Sequence, residues 1–314
     1  MLNKNIHKCN ICDNILEKIF NYNDEHSYYR CQYCNFVKRI PGDLYVDYSN
    51  EYMSEELLNK SLVLAKNYYK RLNKIIKNDS VCLEIGGSFG FFCKLLKEKN
   101  NCIVYNVESS ILATEYANKN KINTVSKIEE IDSNISFDNI FSFHVLEHLP
   151  PDDINSLISN LISRLKKGGL LILFTPNAES FKLKLFRKGY PWLAFPEHVS
   201  FLSRKSIEIL FAKNNVEIIK ITSEIPSYYH YPLISFVSIM RRIILPRKLS
   251  EISQIKNNPR KKKFKTHIIS SAKTLYHSIL FIERLCLLPF YYLLELFSTN
   301  KDELVIIGRK KPGY

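Results

Sequence analysis

Residues 81–90 place the tightest limit on the fold. Val81-Cys82-Leu83-Glu84-Ile85 is a short, mostly apolar run with β-branched ends. Gly86-Gly87-Ser88-Phe89-Gly90 breaks it at once, and a helical pattern starts at Phe91. A run that is apolar on both faces belongs inside a sheet, and a strand feeding straight into a helix returns to that sheet as a parallel neighbour. At least one strand–turn–helix unit of an α/β layer structure is therefore expected.

The alternation extends in both directions. Residues 54–77 read as a helix: Ser54 suits the N-cap, Glu55 and Glu56 the first turn, and Leu57, Leu58, Leu62, Ala65, Tyr69, Leu72 and Ile76 recur at helical spacing. Beyond the turn come a helix at 91–99, a strand at 102–107, a helix at 109–120 and a strand at 137–143. An amphipathic helix at 153–167 is closed by Gly168-Gly169, and a strand at 170–174 is stopped by Thr175-Pro176-Asn177. A helix at 203–213, a strand at 216–222 and a last strand at 304–308 follow. Strands alternating with helices predict a parallel sheet covered on both faces. If the final two strands pair, residues 226–300 are an insertion between them. The expected organisation is a small module at 1–45, an α/β core at 46–225, the insertion, and a last strand with its tail at 301–314.

The glycine turn lets the backbone approach a ligand closely, and the helix that follows offers unpaired N–H groups to a carboxylate or phosphate. Eighteen residues past Gly90, at the end of the next strand, stands Glu108, placed to accept hydrogen bonds from both hydroxyls of a ribose. Strand, turn, helix, strand and terminal acid together predict a nucleoside site. The fingerprint G-x-G-x-x-G of dinucleotide-binding oxidoreductases does not fit this turn.

Four cysteines, Cys9, Cys12, Cys31 and Cys34, read C-x2-C-x18-C-x2-C, a zinc-ribbon spacing. Each CxxC turn sets two thiolates on one side of a metal, and two turns close a tetrahedron with Zn–S bonds of about 2.3 Å. No position is left for water or substrate, so the zinc would be structural and would supply folding energy to a segment too small to build its own core. Cys82, Cys93, Cys102 and Cys286 stand in apolar runs and read as small buried hydrophobes.

The segments VCLEIGGSFGFF (81–92), VYNVESS (104–110), FDNIFSFHVLEHLPPDD (137–153), KKGGLLILFTPN (166–177) and PEHVSFLSRKSIEILF (196–211) resemble the class I S-adenosylmethionine-dependent methyltransferases. The nearest flavour is the ubiquinone-pathway-like and sugar-modifying type, several of which carry an N-terminal cysteine zinc module. The resemblance covers about residues 75–225 and the last strand. It implies a Rossmann-like seven-stranded core and S-adenosylmethionine as cofactor. Gly86 and Gly90 would line its methionine part with Glu84 nearby, and Glu108 would bind its ribose. With Gly87 and His144 these residues form the candidate cofactor set. The family usually has glycine where Ser88 stands. Its adenine-binding acid follows the third strand, where Glu129, Glu130 and Asp132 compete.

Methyl transfer from a sulfonium is an in-line displacement, with the acceptor held within about 3–3.5 Å of the methyl. A hydroxyl acceptor also needs a base. His144, Glu147 and His148 follow the 137–143 strand, at the edge where open α/β sheets bind ligands, and His198 follows the next strand. His148 is preferred as the base with Glu147 orienting it, and His198 is the second candidate. One alternative is a divalent cation held by His144, Glu147, His148 or His198. In some relatives of the ubiquinone-pathway type a Glu-rich version of this segment holds metal, and His144 replaces its first acid here. Another is that His148 only caps or packs on the next helix. Trp192, with Tyr190, Phe195 and Phe201, could form a lid over the acceptor or belong to the core.

The chain carries a net charge of +14, concentrated in residues 241–265, where ten Lys and Arg face one acid, Glu251. Such a block seeks phosphates on nucleic acid or anionic lipid, or is simply a solvated loop. The apolar run at 278–297 has the length of a membrane span, but Glu283, Arg284 and Glu295 would each cost about 2.5–3.5 kcal/mol at mid-membrane, so helices on a membrane surface or against the core are expected. The first ten residues lack an apolar signal core, so a cytoplasmic protein is expected, peripheral at the inner face of the membrane if the insertion binds lipid. The preferred acceptor is a sugar hydroxyl on a small-molecule or lipid-linked glycan precursor. C-methylation of a nucleotide sugar, a quinone precursor, ribosomal RNA and a non-catalytic adaptor are the alternatives. Phe143-His144-Val145-Leu146-Glu147-His148 lacks the Asn-Pro-Pro or Asp-Pro-Pro of base-amine methyltransferases, which argues against nucleic acid.

Overall fold

A computed structural model of the chain describes residues 7–42, 53–226, 298 and 300–312. The basic block at 241–265 and the apolar run at 278–297 lie outside them. Among the described residues, no helix is long and apolar enough to cross a membrane.

The main sheet has seven strands: β4 (Val81–Ile85), β5 (Ile103–Val107), β6 (Asn123–Val125), β7 (Phe137–Phe143), β8 (Leu165–Pro176), β10 (Val216–Glu224) and β11 (Glu303–Lys310). Their spatial order is β10-β11-β8-β7-β4-β5-β6. Strands β4 to β8 run parallel, whereas β11 lies antiparallel between β8 and β10. The chain therefore leaves the first strand in one direction for β5 and β6 and returns on its other side for β7 and β8. That reversal opens a crevice at the carboxyl ends of β4 and β7, where doubly wound sheets bind ligands.

The local reasons are visible in the residues. Helix α1 (Glu55–Leu72) starts at Ser54, whose hydroxyl accepts a hydrogen bond from the Leu57 amide at 3.1 Å. Its buried face is Ala65, Tyr68 and Leu72, which pack with helix α2 (Phe91–Asn100) and the sheet. Helix α3 (Ile111–Lys119) is capped by Ser110 in the same manner. Helix α4 (Asp153–Arg164) buries Ile154, Ile158, Leu161 and Ile162. It ends three residues earlier than the pattern predicts, because Leu165 turns extended to pair with Phe137 and becomes the first residue of β8. Strand β6 escaped the sequence reading, being three residues long and too short to show a period.

A second, antiparallel sheet has the order β1-β2-β3-β9, from β1 (Leu16–Asn21), β2 (Ser27–Cys31), β3 (Val37–Ile40) and β9 (Ser200–Phe201). Its first three strands come from the cysteine module, but the fourth comes from the core, with Val37 opposite Phe201 and Lys38 opposite Ser200. Helix α5 (Phe181–Phe186) precedes β9, and helix α6 (Arg204–Lys213) follows it. The module packs directly on the core: Cys9 and Ile11 share one apolar cluster with Ile154 and Ile158 of α4 and Ile207 and Leu210 of α6.

Candidate active site

A cavity of about 360 Å³ opens at the crevice, floored by Glu84, Gly86, Gly87 and Ser88 and roofed by Lys60, Ser61, Leu64, Ala65 and Tyr68 of α1. The glycines are required by space as well as by conformation. Gly86 has φ +70°, and a Cβ there would meet Val145 Cγ2 at 2.4 Å. A Cβ on Gly87 would lie 2.2 Å from Asn106 Oδ1 and 2.7 Å from the Glu84 carboxylate. Glu84 is buried, and its Oε2 has no hydrogen-bond partner. Burial pushes its carboxyl up to about 8. A buried carboxyl with one unpartnered oxygen beside a glycine floor suits a ligand that brings a cation, such as the ammonium of a methionine moiety.

Glu108 stands one step further along. Its Oε2 accepts the Ser88 amide at 2.8 Å and its Oε1 the Ser110 amide at 2.8 Å. The carboxylate so ties the glycine turn to the N-terminus of α3, and it remains partly exposed. Neither Glu108 nor Gly90 lines the cavity. The three adenine candidates are engaged elsewhere. Glu129 accepts from Asn160 beside a separate small cavity, Glu130 accepts the Lys127 amide, and Asp132 accepts the Asn134 amide. None of the three reaches the main cavity.

Behind the cavity runs a buried polar chain. His144, with φ +56°, places Nδ1 3.1 Å from Glu147 Oε1 and Nε2 2.9 Å from Glu303 Oε1. Glu303 Oε2 in turn takes the Arg71 guanidinium at 2.7 Å, and Arg71 also reaches Glu224 at 3.0 Å. Burial alone would lower the His144 imidazole, but hydrogen bonds to the two carboxylates carry it up to about 9. Burial would raise Glu147, yet the His144 hydrogen bond and charge hold it at about 2. His144 is thus an imidazolium between two carboxylates. Both its nitrogens face carboxylates, and it is not among the residues whose ligand atoms converge on one point, unlike the other three cation candidates of the sequence. Its ring stacks on Trp192 at 5.0 Å, so both line the cavity wall.

His198 also lines the cavity. Its Nδ1 donates to the Trp192 carbonyl at 2.5 Å, which leaves the Nε2 lone pair free to accept. Burial pushes this imidazole down to about 4, so it is neutral at pH 7. His148, preferred from the sequence, packs edge-on against His198 with ring centres 4.6 Å apart and is not part of the cavity lining. Glu147, His148 and His198 nevertheless bring one ligand atom each within 4.8 Å of one another and could hold a divalent ion.

Sequence reasoning missed Tyr68, Arg71 and Glu303. Tyr68 stacks on Phe143 at 4.2 Å, and Arg71 lies over the Phe174 ring at 4.3 Å. Only the pairing of β11 with β8 could have pointed to Glu303, which it sets opposite Pro176. Of the proposed lid, Trp192 faces the cavity, whereas Tyr190 and Phe201 are core residues beneath the cysteine module and Phe195 stacks on Tyr22.

In the module the four sulfurs converge: Cys9 and Cys34 Sγ are 3.6 Å apart and Cys12 and Cys31 Sγ 3.5 Å, all four within 4.8 Å of one another. A tetrahedral zinc with bonds of about 2.3 Å needs sulfurs roughly 3.8 Å apart. Amides of Ile11 and Cys34 point at Cys9 and Cys31 Sγ, as thiolates require.

The methyltransferase domain family matches residues 52–221, more than half of the chain. The fold resembles a SAM-dependent methyltransferase from Archaeoglobus fulgidus, with 18% identity and a TM-score of 0.51 over 82% of this chain and all of that one. It also aligns with the cyclopropane synthase MmaA2 of Mycobacterium tuberculosis (15% identity, TM-score 0.47, 86% and 91% of the two chains). A third match is a Haemonchus contortus phosphoethanolamine N-methyltransferase in complex with S-adenosyl-L-methionine (15%, 0.47, 88% and 62%). No curated protein matches in sequence. The chain belongs to the methyltransferase domain family and is a S-adenosylmethionine-dependent methyltransferase.

Proposed function

We propose that the protein O-methylates a sugar hydroxyl on a small-molecule or lipid-linked glycan precursor, with His198 as the base. The observation that carries this reading is the neutral His198 imidazole, its Nδ1 fixed on a carbonyl and its Nε2 available, in the cavity that also contains Glu84 and the glycine floor. Bound S-adenosylmethionine supplies an electrophilic methyl carbon on its sulfonium. Glu84 takes the ammonium of its methionine part, Gly86 and Gly87 leave room for it, and Glu108 accepts from its ribose. The acceptor hydroxyl would give its proton to His198 Nε2 as its oxygen bonds the methyl carbon and the methyl–sulfur bond breaks, leaving a neutral thioether, and the Glu147 carboxylate would stabilise the imidazolium that results. An amine acceptor would need no such base, which favours oxygen. Four-cysteine geometry supports a structural zinc in the module.

Glu147, His148 and His198 also support a second reading, in which a divalent cation holds the acceptor oxygen. Transfer of radiolabelled methyl into isolated lipid-linked glycans, nucleotide sugars, quinone precursors and ribosomal RNA tests the acceptor. Label in the glycans that survives chelation supports the proposal. Label only in RNA or quinone overturns it, and activity that requires added Mg²⁺ or Mn²⁺ supports the cation.

A further inference from the structure

The cysteine module reaches the segment that carries His198 by way of one arginine. Arg39, on β3, is fully buried although it is a charged residue on a small surface module. Its Nη1 donates to the Pro196 carbonyl at 2.5 Å, its amide donates to the Val199 carbonyl at 2.9 Å, and its Nε donates to the Pro41 carbonyl at 3.1 Å. The guanidinium lies 5.2 Å from the centre of the Phe195 ring. Tyr28, on β2, donates its hydroxyl to the His198 carbonyl at 3.4 Å, and Tyr22 stacks on Phe195 at 4.3 Å. Pairing of β3 with β9 continues the same contact through Ser200 and Phe201. On the opposite side the segment is held by the catalytic layer: the Val199 amide donates to the Glu147 carbonyl at 2.8 Å, and the Ser200 hydroxyl donates to the Leu149 carbonyl at 2.9 Å.

Residues 195–201 therefore run from a turn at 194–197 into β9, with the module on one edge and the Glu147 turn on the other. Before β9 begins, this segment belongs to no helix or sheet that would fix it. Its carbonyls must be satisfied by neighbours, and here the module supplies the donors. A charged donor on a buried carbonyl is the stronger form of that bond, and the guanidinium makes it at Pro196, while the backbone amide of Arg39 holds the Val199 carbonyl on the other side of His198. We propose that Arg39 is a positioning residue: by holding the Pro196 carbonyl with its guanidinium, beside the main-chain bond of its amide to Val199, it fixes where the His198 imidazole meets the acceptor, so the module buttresses the active site from behind its lining. The effect on turnover rests on His198 being the base. The effect on His198 itself does not.

The experiment uses the full-length chain with ¹⁵N-labelled histidine and compares wild type with Arg39→Gln. In the wild type the His198 ring gives the spectrum of a single tautomer with hydrogen on Nδ1. In Arg39→Gln that signature is lost to averaging, hydrogen exchange at the Val199 amide accelerates at least tenfold, and kcat falls at least tenfold, with the dissociation constant for S-adenosylmethionine unchanged within twofold. A folded Arg39→Gln protein with the wild-type His198 spectrum and wild-type exchange at Val199 overturns the proposal. Altered His198 signals with unchanged kcat uphold the clamp and remove His198 from the chemistry. Should Arg39→Gln fail to fold, Tyr28→Phe, which removes only the hydroxyl facing the His198 carbonyl, decides by the same readouts. A shift in the His198 signals supports the clamp, and an unshifted spectrum overturns it.

Discussion

Glu303, the first residue of the last strand, places Oε1 2.9 Å from Nε2 of His144, which precedes it by 159 positions. The same carboxylate holds Arg71 from the opposite end of the domain. Three distant segments thus meet in one buried ion cluster at the wall of the cavity.

Glu303→Ala leaves Arg71 and His144 without their shared partner in a buried site. Removing one member of a buried pair costs on the order of 3–5 kcal/mol, because the remaining charge stays desolvated. Urea unfolding should show a loss of that size. A stability within about 1 kcal/mol of wild type, well below that range, would show that the cluster is solvated.

Glu84 should make stability depend on pH and, in the proposed reading, cofactor binding as well. Its folded value of about 8 is raised, so its contribution is complete below the ordinary carboxylate range and is lost as pH rises through 8. The ligand-free protein should lose stability between pH 5 and pH 8, and Glu84→Gln should flatten that decline and raise the melting temperature at pH 8 by several degrees. At pH 7 the carboxyl is largely protonated, so a bound ammonium should expel its proton. Calorimetry in two buffers of different ionisation enthalpy should detect nearly one proton released in the wild type and none in Glu84→Gln.

Glu108→Ala should weaken S-adenosylmethionine binding by more than tenfold, or about 1.4 kcal/mol. The side chain holds the Ser88 and Ser110 amides and, in the proposed reading, also receives the ribose, so Glu108→Gln should retain part of the affinity. Unchanged titration curves for Glu108→Ala would dismiss the ribose assignment.

His198→Ala should lower kcat by about 10²–10⁴-fold, the range of general-base removal, and leave cofactor affinity intact. His148→Ala should have a smaller effect, since His148 supports the His198 ring from the side and does not line the cavity. Equal losses in both variants, restored by added divalent cation, would favour the metal reading.

Elemental analysis should find close to one zinc per chain, absent from Cys31→Ser. Because Cys31 closes β2 and packs in the cluster shared with α4, the substitution should also lower the melting temperature of the whole domain in a single transition. A fully folded wild type without zinc would dismiss the metal.

How far the sequence could be read follows from the range of each signal. The glycine turn, the strand carrying Glu84 and the acid at Glu108 are local patterns, and the structure gathers them around one turn. The choice among His144, His148 and His198 was not local. It depended on which ring faces the cavity, and that is set by Trp192 and by the antiparallel return of β11 from beyond residue 300. Tyr68 illustrates a smaller failure. Sequence periodicity selected Tyr69 for the buried face, but α1 turns Tyr68 into the cavity, and Tyr69 instead donates its hydroxyl to Asn100 on α2. Arg39 gave no signal, because nothing in its neighbours shows that a surface module will bury a guanidinium in a loop more than 150 residues away.

Strands β10 and β11 end side by side, with Glu224 directly opposite Glu303 and one guanidinium between their carboxylates. The chain thus leaves the sheet and rejoins it at a single point. Whatever length is spliced in there, closing the gap adds only a slowly growing entropic cost, and no strand of the sheet has to shift to admit it. This junction is a graft site: the segment between the two strands can be lengthened, shortened or exchanged while Glu84, the glycine turn and Glu108 stay in register.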